Sequence, residues 1–155
     1  MKALFTVLSL SVSSLAMAAP DADLLVGTWN CGASETSAQG SMEIDGTVEY
    51  KADKSANYDM TMSMDLTELG ESFTIAMSGT GTWRLEGDKL VSTAESMDVS
   101  NAGEPSEFVD MMMPQFKAQQ QAQLGKETRS TIVELTENKL VERPADGSDT
   151  VECTR

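Results

Sequence analysis

The chain contains no histidine. This removes the imidazole base from any Ser/His or Cys/His nucleophile system and excludes the ordinary zinc sites built on His ligands. Long apolar runs are also missing beyond the first twenty residues. No later stretch approaches the roughly 18 consecutive apolar residues of a membrane helix, so a chain that does not span the membrane is expected. Positive charge is scarce, with 11 Lys and Arg against 25 Asp and Glu and a formal net charge of −14. So acidic a surface repels phosphate backbones and anionic lipid, so nucleic acid is not expected as a partner. The acidic residues are scattered and not in blocks, which reads as a solvated face. A glycine-rich phosphate loop and an EF-hand spacing are both absent: "DADLLVG" lacks the later calcium ligands and "DGSD" is too short. Carboxylate pairs such as Glu43 with Asp45, or Asp59 with Asp65, fall on the polar parity of their strands. The expectation is a protein that is not an enzyme and carries neither a cofactor nor a conventional metal.

What is present begins with "MKALFTVLSLSVSSLAMAAP": a lysine, an apolar run and the small-residue pattern Ala16-Met17-Ala18. This is the build of a cleavable secretory signal over residues 1–18, with cleavage after Ala18 and the periplasm as destination. No cysteine follows the run, so a lipid anchor is not indicated. Removal takes away one charged residue, Lys2, and leaves residues 19–155 at −15. About 137 residues are enough for one domain. In an exported chain the two cysteines, Cys31 and Cys153, invite a single intrachain disulfide.

From the end of the signal to residue 98, apolar residues recur at every second position between turn-forming stretches, the pattern of half-buried antiparallel strands. Met42, Ile44, Val48 and Tyr50 share one face. After the turn "ADKSAN", Tyr58, Met60, Met62, Met64 and Leu66 alternate with polar residues. Past "LGES", Phe73, Ile75, Met77, Trp83 and Leu85 hold a face that also carries Gly79 and Gly81. Glycines inside so long a strand predict a barrel corner, with a bulge in an open sheet as the alternative. "EGDK" makes the next hairpin. After Asp98 the alternation stops. Pro105 and Pro114 placed as helix starters, with Gly125 as a stop, predict a short helical turn over 105–112 and a separate helix over 114–124. Strands resume with "STIVELT", "KLVER" and "TVECTR". The reading is all-β and mainly antiparallel: an eight-stranded up-and-down β-barrel with a helical insertion between strands five and six, its first strand stapled to its last.

The stretch "LLVGTWNC", with "VEYKADKSANY", "GTGTWRLEGDKL" and "VELTENKLV", resembles the small secreted bacterial lipocalin-like (calycin-type) domains. The resemblance implies that Trp29 plugs the closed end of the barrel and that an arginine from a late strand packs on it. Arg143 and Arg155 are the candidates, with Lys139 behind them.

Three functions fit these features. In the first, the barrel interior holds a small apolar or amphipathic ligand against Tyr58, Met60, Met62, Met64, Phe73, Ile75, Met77 and Trp83, with the segment from Phe108 to Leu124 as a lid. Methionine suits such a wall because its side chain is flexible and polarizable. A carrier of this kind needs a void of roughly 300 Å³ beside Met62. In the second, the same side chains fill the barrel, and a monomer acts as an inhibitor or assembly factor through its acidic surface. The third is capture of copper(I) by the strand thioethers, with Met42 or Met77 from adjacent strands completing a site and Met111 to Met113 adding another. Same-face strand neighbours about 6.6 to 6.8 Å apart argue for apolar core over metal capture.

Overall fold

A computed structural model describes residues 20–67, 70–147 and 149–155. The expected export signal over 1–18 and the first residue of the "LGES" turn lie outside them. Eight antiparallel strands run in chain order: β1 (Gly27–Ser37), β2 (Gly40–Tyr50), β3 (Ser55–Leu66), β4 (Glu71–Glu86), β5 (Lys89–Asn101), β6 (Glu127–Leu135), β7 (Lys139–Pro144) and β8 (Val151–Thr154). Each pairs with the next, and β8 pairs back onto β1, closing an up-and-down barrel. Closure pairs the terminal strands with each other, whereas an open sheet would leave both of them as edges.

The seam is short. β1 meets β8 over three pairs, Asn30 with Thr154, Cys31 with Cys153 and Gly32 with Glu152. Cys31 and Cys153 stand directly opposite and are joined by a disulfide. The expected staple is therefore present.

Gly79 and Gly81 lie where the β5 backbone leaves no room for a side chain on β4. A Cβ at Gly79 would fall 2.2 Å from the Ser96 carbonyl oxygen, and one at Gly81 would fall 2.4 Å from that of Thr93. The register of β4 against β5 shifts between Thr80 and Gly81, so the bend is both a corner and a bulge within a closed barrel.

The strands are unequal, and this shapes the molecule. β4 and β5 are 16 and 13 residues long, whereas β7 and β8 are 6 and 4. Among the described residues β5 pairs with β6 over Lys89–Thr93, leaving its half from Ala94 to Asn101 without a neighbouring strand on that side. The chain fills the gap with a helix. Gly125 N–H donates to the Ala94 carbonyl at 2.8 Å as the chain returns to β6.

Among the described residues two helices accompany the strands. α1 (Ala22–Leu25) is a single turn before β1, capped by the Asp21 carboxylate, which accepts from Asp23 N–H at 2.9 Å. α2 (Glu107–Gln121) is one continuous helix with Pro114 inside it, not the two pieces expected. Pro114 cannot donate to the Asp110 carbonyl, but both residues are exposed, so water can serve that oxygen. On the opposite face Val109, Met113 and Phe116 pack against the barrel from both sides of the proline and hold the turns in line.

One buried residue points outward. Val91 sits between Arg84 and Arg129 in register, and those two with Glu86 and Glu127 close a ring of four ion pairs at 2.7 to 3.1 Å. The aliphatic stems beside it leave Val91 only 1 % exposed.

Candidate functional site

The interior divides into two apolar clusters. The first surrounds Trp29, which is fully buried with Leu25, Tyr50, Ala56, Trp83, Leu90 and Leu140 around it. Its indole N–H donates to the Leu25 carbonyl at 2.8 Å, which ties Trp29 to α1. Between the two arginines the geometry selects Arg155, whose guanidinium lies 4.0 Å above the Trp29 ring. Arg155 also donates to the carbonyls of Val26, Leu24 and Glu137, tying the last residue to the α1–β1 junction. Gly27, at φ +131°, is where this arginine crosses; a Cβ there would fall 2.6 Å from Nη1. The Gly-x-Trp start thus has a local cause: glycine clears the path by which Arg155 reaches Trp29. Trp83 donates to the Lys51 carbonyl at 3.1 Å, stacks edge-on with Tyr50 and lies under the Lys54 ammonium.

A polar group reaches into the same part of the barrel. The half-buried Glu142 carboxylate accepts a 2.6 Å hydrogen bond from Ser130 Oγ and a long 3.4 Å contact from Tyr50 Oη. Burial pushes Glu142 above the usual carboxylate range, against the two hydrogen bonds that favour its charge. Tyr50 is held well above the ordinary phenol value by burial and then by the neighbouring Glu142 charge, and burial also raises Tyr58.

The second cluster centres on Met62, Ile75 and Val99, with Met42, Ile44, Met64, Phe73, Met77 and Met97 around them and Met113 and Phe116 laid on from α2. Cross-strand register places Met42 opposite Met64 and Met60 opposite Met77. Of the eight residues expected to form one wall, Tyr58, Met60 and Trp83 pack at the Trp29 end, and Met62, Met64, Phe73, Ile75 and Met77 at the α2 end.

The void expected beside Met62 is replaced by packing, since Met62 is only 5 % exposed. An apolar cavity of about 210 Å³ opens one layer further along, between the inner face of β3–β4 and α2. The sheet contributes Met64, Leu66, Phe73 and Ile75 to its lining; α2 contributes Phe108, Val109, Met112, Met113 and Phe116. The Phe73 and Phe108 rings meet at 6.1 Å across its edge. The lining is wholly apolar side chains, so the cavity offers dispersion and exclusion of water but no group for acid–base or nucleophilic chemistry.

Reading the strands alone misses the helix half of this lining. A signal for it exists: Phe108, Met112 and Phe116 recur every four residues, with Val109 and Met113 beside them, which is one stripe of a helix. Among the described residues no group of three or more Cys, Asp or Glu is placed to hold a metal ion, and no helix is long and apolar enough to cross a membrane. No protein-family model matches the chain, and no curated protein sequence matches it.

Proposed function

We propose that the protein is an exported carrier that holds a small apolar molecule, or the apolar end of an amphipathic one, between β3–β4 and α2, with α2 as the lid. The observation that carries this reading is the cavity of about 210 Å³, lined by apolar side chains and closed on one side by a single helix. The barrel interior beside Met62, where a carrier of drug-sized molecules needs a void of roughly 300 Å³, is packed, so the reading rests on this smaller cavity and its size sets the ligand. It is smaller than the roughly 300 to 1,000 Å³ of pockets that enclose drug-sized molecules, yet larger than the about 150 Å³ engineered cavity that admits benzene. A short apolar body, or one end of an acyl or aromatic group, fits that range.

Export agrees with the Cys31–Cys153 pairing, which persists in oxidising compartments. Membership of the lipocalin-like group is supported by the closed eight-stranded barrel and by Arg155 stacked on Trp29. The position of α2, between the fifth and sixth strands and not after the last, sets this chain apart from true lipocalins.

Titration with a neutral phenylnaphthylamine dye, followed by its fluorescence, tests the reading. Saturable one-to-one binding is expected, lost in Leu66→Trp, which fills the cavity from a strand end while the far-ultraviolet dichroism stays that of the parent. A dye that binds the parent and Leu66→Trp alike, or neither, would remove the carrier reading.

A further inference from the structure

The run Met111-Met112-Met113 places three thioethers on successive positions of α2, each rotated about 100° from the last. Their exposure falls accordingly. Met111 is 70 % exposed, Met112 is 38 % exposed and lines the cavity, and Met113 packs on the Met62 cluster. Among the described residues the remaining methionines are buried or half-buried. Both cysteines are already paired, Trp29 and Trp83 are buried, and so is Met62. Among the described residues, the most exposed methionines therefore lie on the element that covers the cavity.

We propose that Met111 and Met112 are a site of oxidative modification by hydrogen peroxide, and that oxidation of Met112 releases α2 from the cavity. The thioether sulfur attacks one peroxide oxygen; an S–O bond forms as the O–O bond breaks, and the second oxygen leaves as water with the transferred proton. Sulfur loses two electrons to give the sulfoxide and the peroxide gains them, so no other reactant is needed. The two positions respond differently. At Met111 the new S–O dipole stays in water and costs nothing structural. At Met112, which lines the cavity and is 38 % exposed, it faces a lining with no hydrogen-bond donor, so the side chain turns out to solvent and α2 loses that apolar contact with the cavity.

The consequence for binding rests on the carrier reading, whereas the order of oxidation and the release of α2 do not. Limited peroxide treatment followed by tandem mass spectrometry should show sulfoxide at Met111 first and Met112 next, with Met62, Met64 and Met77 behind. Hydrogen exchange in Glu107–Gln121 should rise at least about tenfold once Met112 is oxidised, the effect expected of a polar group expelled from an apolar site. Met112→Leu, which conserves volume, should keep parent-like exchange after the same treatment. Dye affinity should fall with Met112 oxidation and be preserved in Met112→Leu. If the parent binds no dye, the carrier reading fails while the exchange comparison still decides this proposal. Oxidation of Met62 as fast as Met112, or equal loosening of α2 in oxidised parent and oxidised Met112→Leu, would overturn it.

Discussion

At one end of the barrel Trp29 lies fully buried, covered by Arg155, bonded to Leu25 and set close to the Cys31–Cys153 bridge. At the other, Met62, Ile75 and Val99 lie beneath a helix that carries Met111 in solvent and Met112 at the rim of the cavity. The first end is built from rigid rings, a covalent bond and directional hydrogen bonds. The second is built from flexible thioethers and one amphipathic helix, and it retains a cavity. The difference shows where ordering is invested and where movement is left available: local opening follows elements with few directional contacts.

The two ends should respond unequally to substitution. Replacing both cysteines by serine removes a closure between residues 122 positions apart and should cost about 4 to 5 kcal/mol in the chain-entropy account, read as a lowered denaturation midpoint. Trp29→Ala should cost about 3 to 5 kcal/mol, because a buried ring is replaced by a cavity and the Leu25 carbonyl loses its donor. A loss under about 1 kcal/mol there would contradict its place in the packed core.

Glu142 gives an effect of opposite sign. Its folded value is raised, so its contribution to stability is present below the unfolded value of about 4.3 and is lost as pH rises through the folded value. Glu142→Gln should flatten that decline in denaturation midpoints measured across the acid-to-neutral range. An unchanged decline would mean that the charge is solvated. The smallest effect belongs to the α2 end, where Met62→Leu should cost less than about 1.5 kcal/mol, since volume is conserved among adaptable neighbours. A cost equal to that of Trp29→Ala would erase the contrast between the ends.

Strand number, order and facing were legible in the sequence because alternation reports parity directly. Met60, Met62 and Met64 share the inner face that their spacing required, and Cys31 met Cys153 because terminal strands close a barrel. Height along the barrel was not legible. Parity cannot say that Tyr58 packs with Trp83 while Met64, six residues on, faces a helix; that division follows from the unequal lengths of β5 and β6 to β8. The continuity of α2 was hidden for a similar reason. The local cost of Pro114 is visible in sequence, but the packing of Val109, Met113 and Phe116 that outweighs it is tertiary. α1 carried only the slight signal of Asp21 before Ala-Asp-Leu-Leu, and the choice of Arg155 over Arg143 depended on where the chain passes Gly27.

We propose α2 as a lid over an apolar cavity at one end of an otherwise stapled barrel. Residue-resolved hydrogen exchange with and without the neutral naphthylamine dye tests it most directly. Without dye, amides of Glu107–Gln121 should exchange well before those of β1 and β2 around Trp29. Saturating dye should slow exchange in α2 and in the facing ends of β3 and β4, leaving the Trp29 end unchanged. Protection spread evenly over the barrel, or none in α2 while the dye is bound, would contradict the claim.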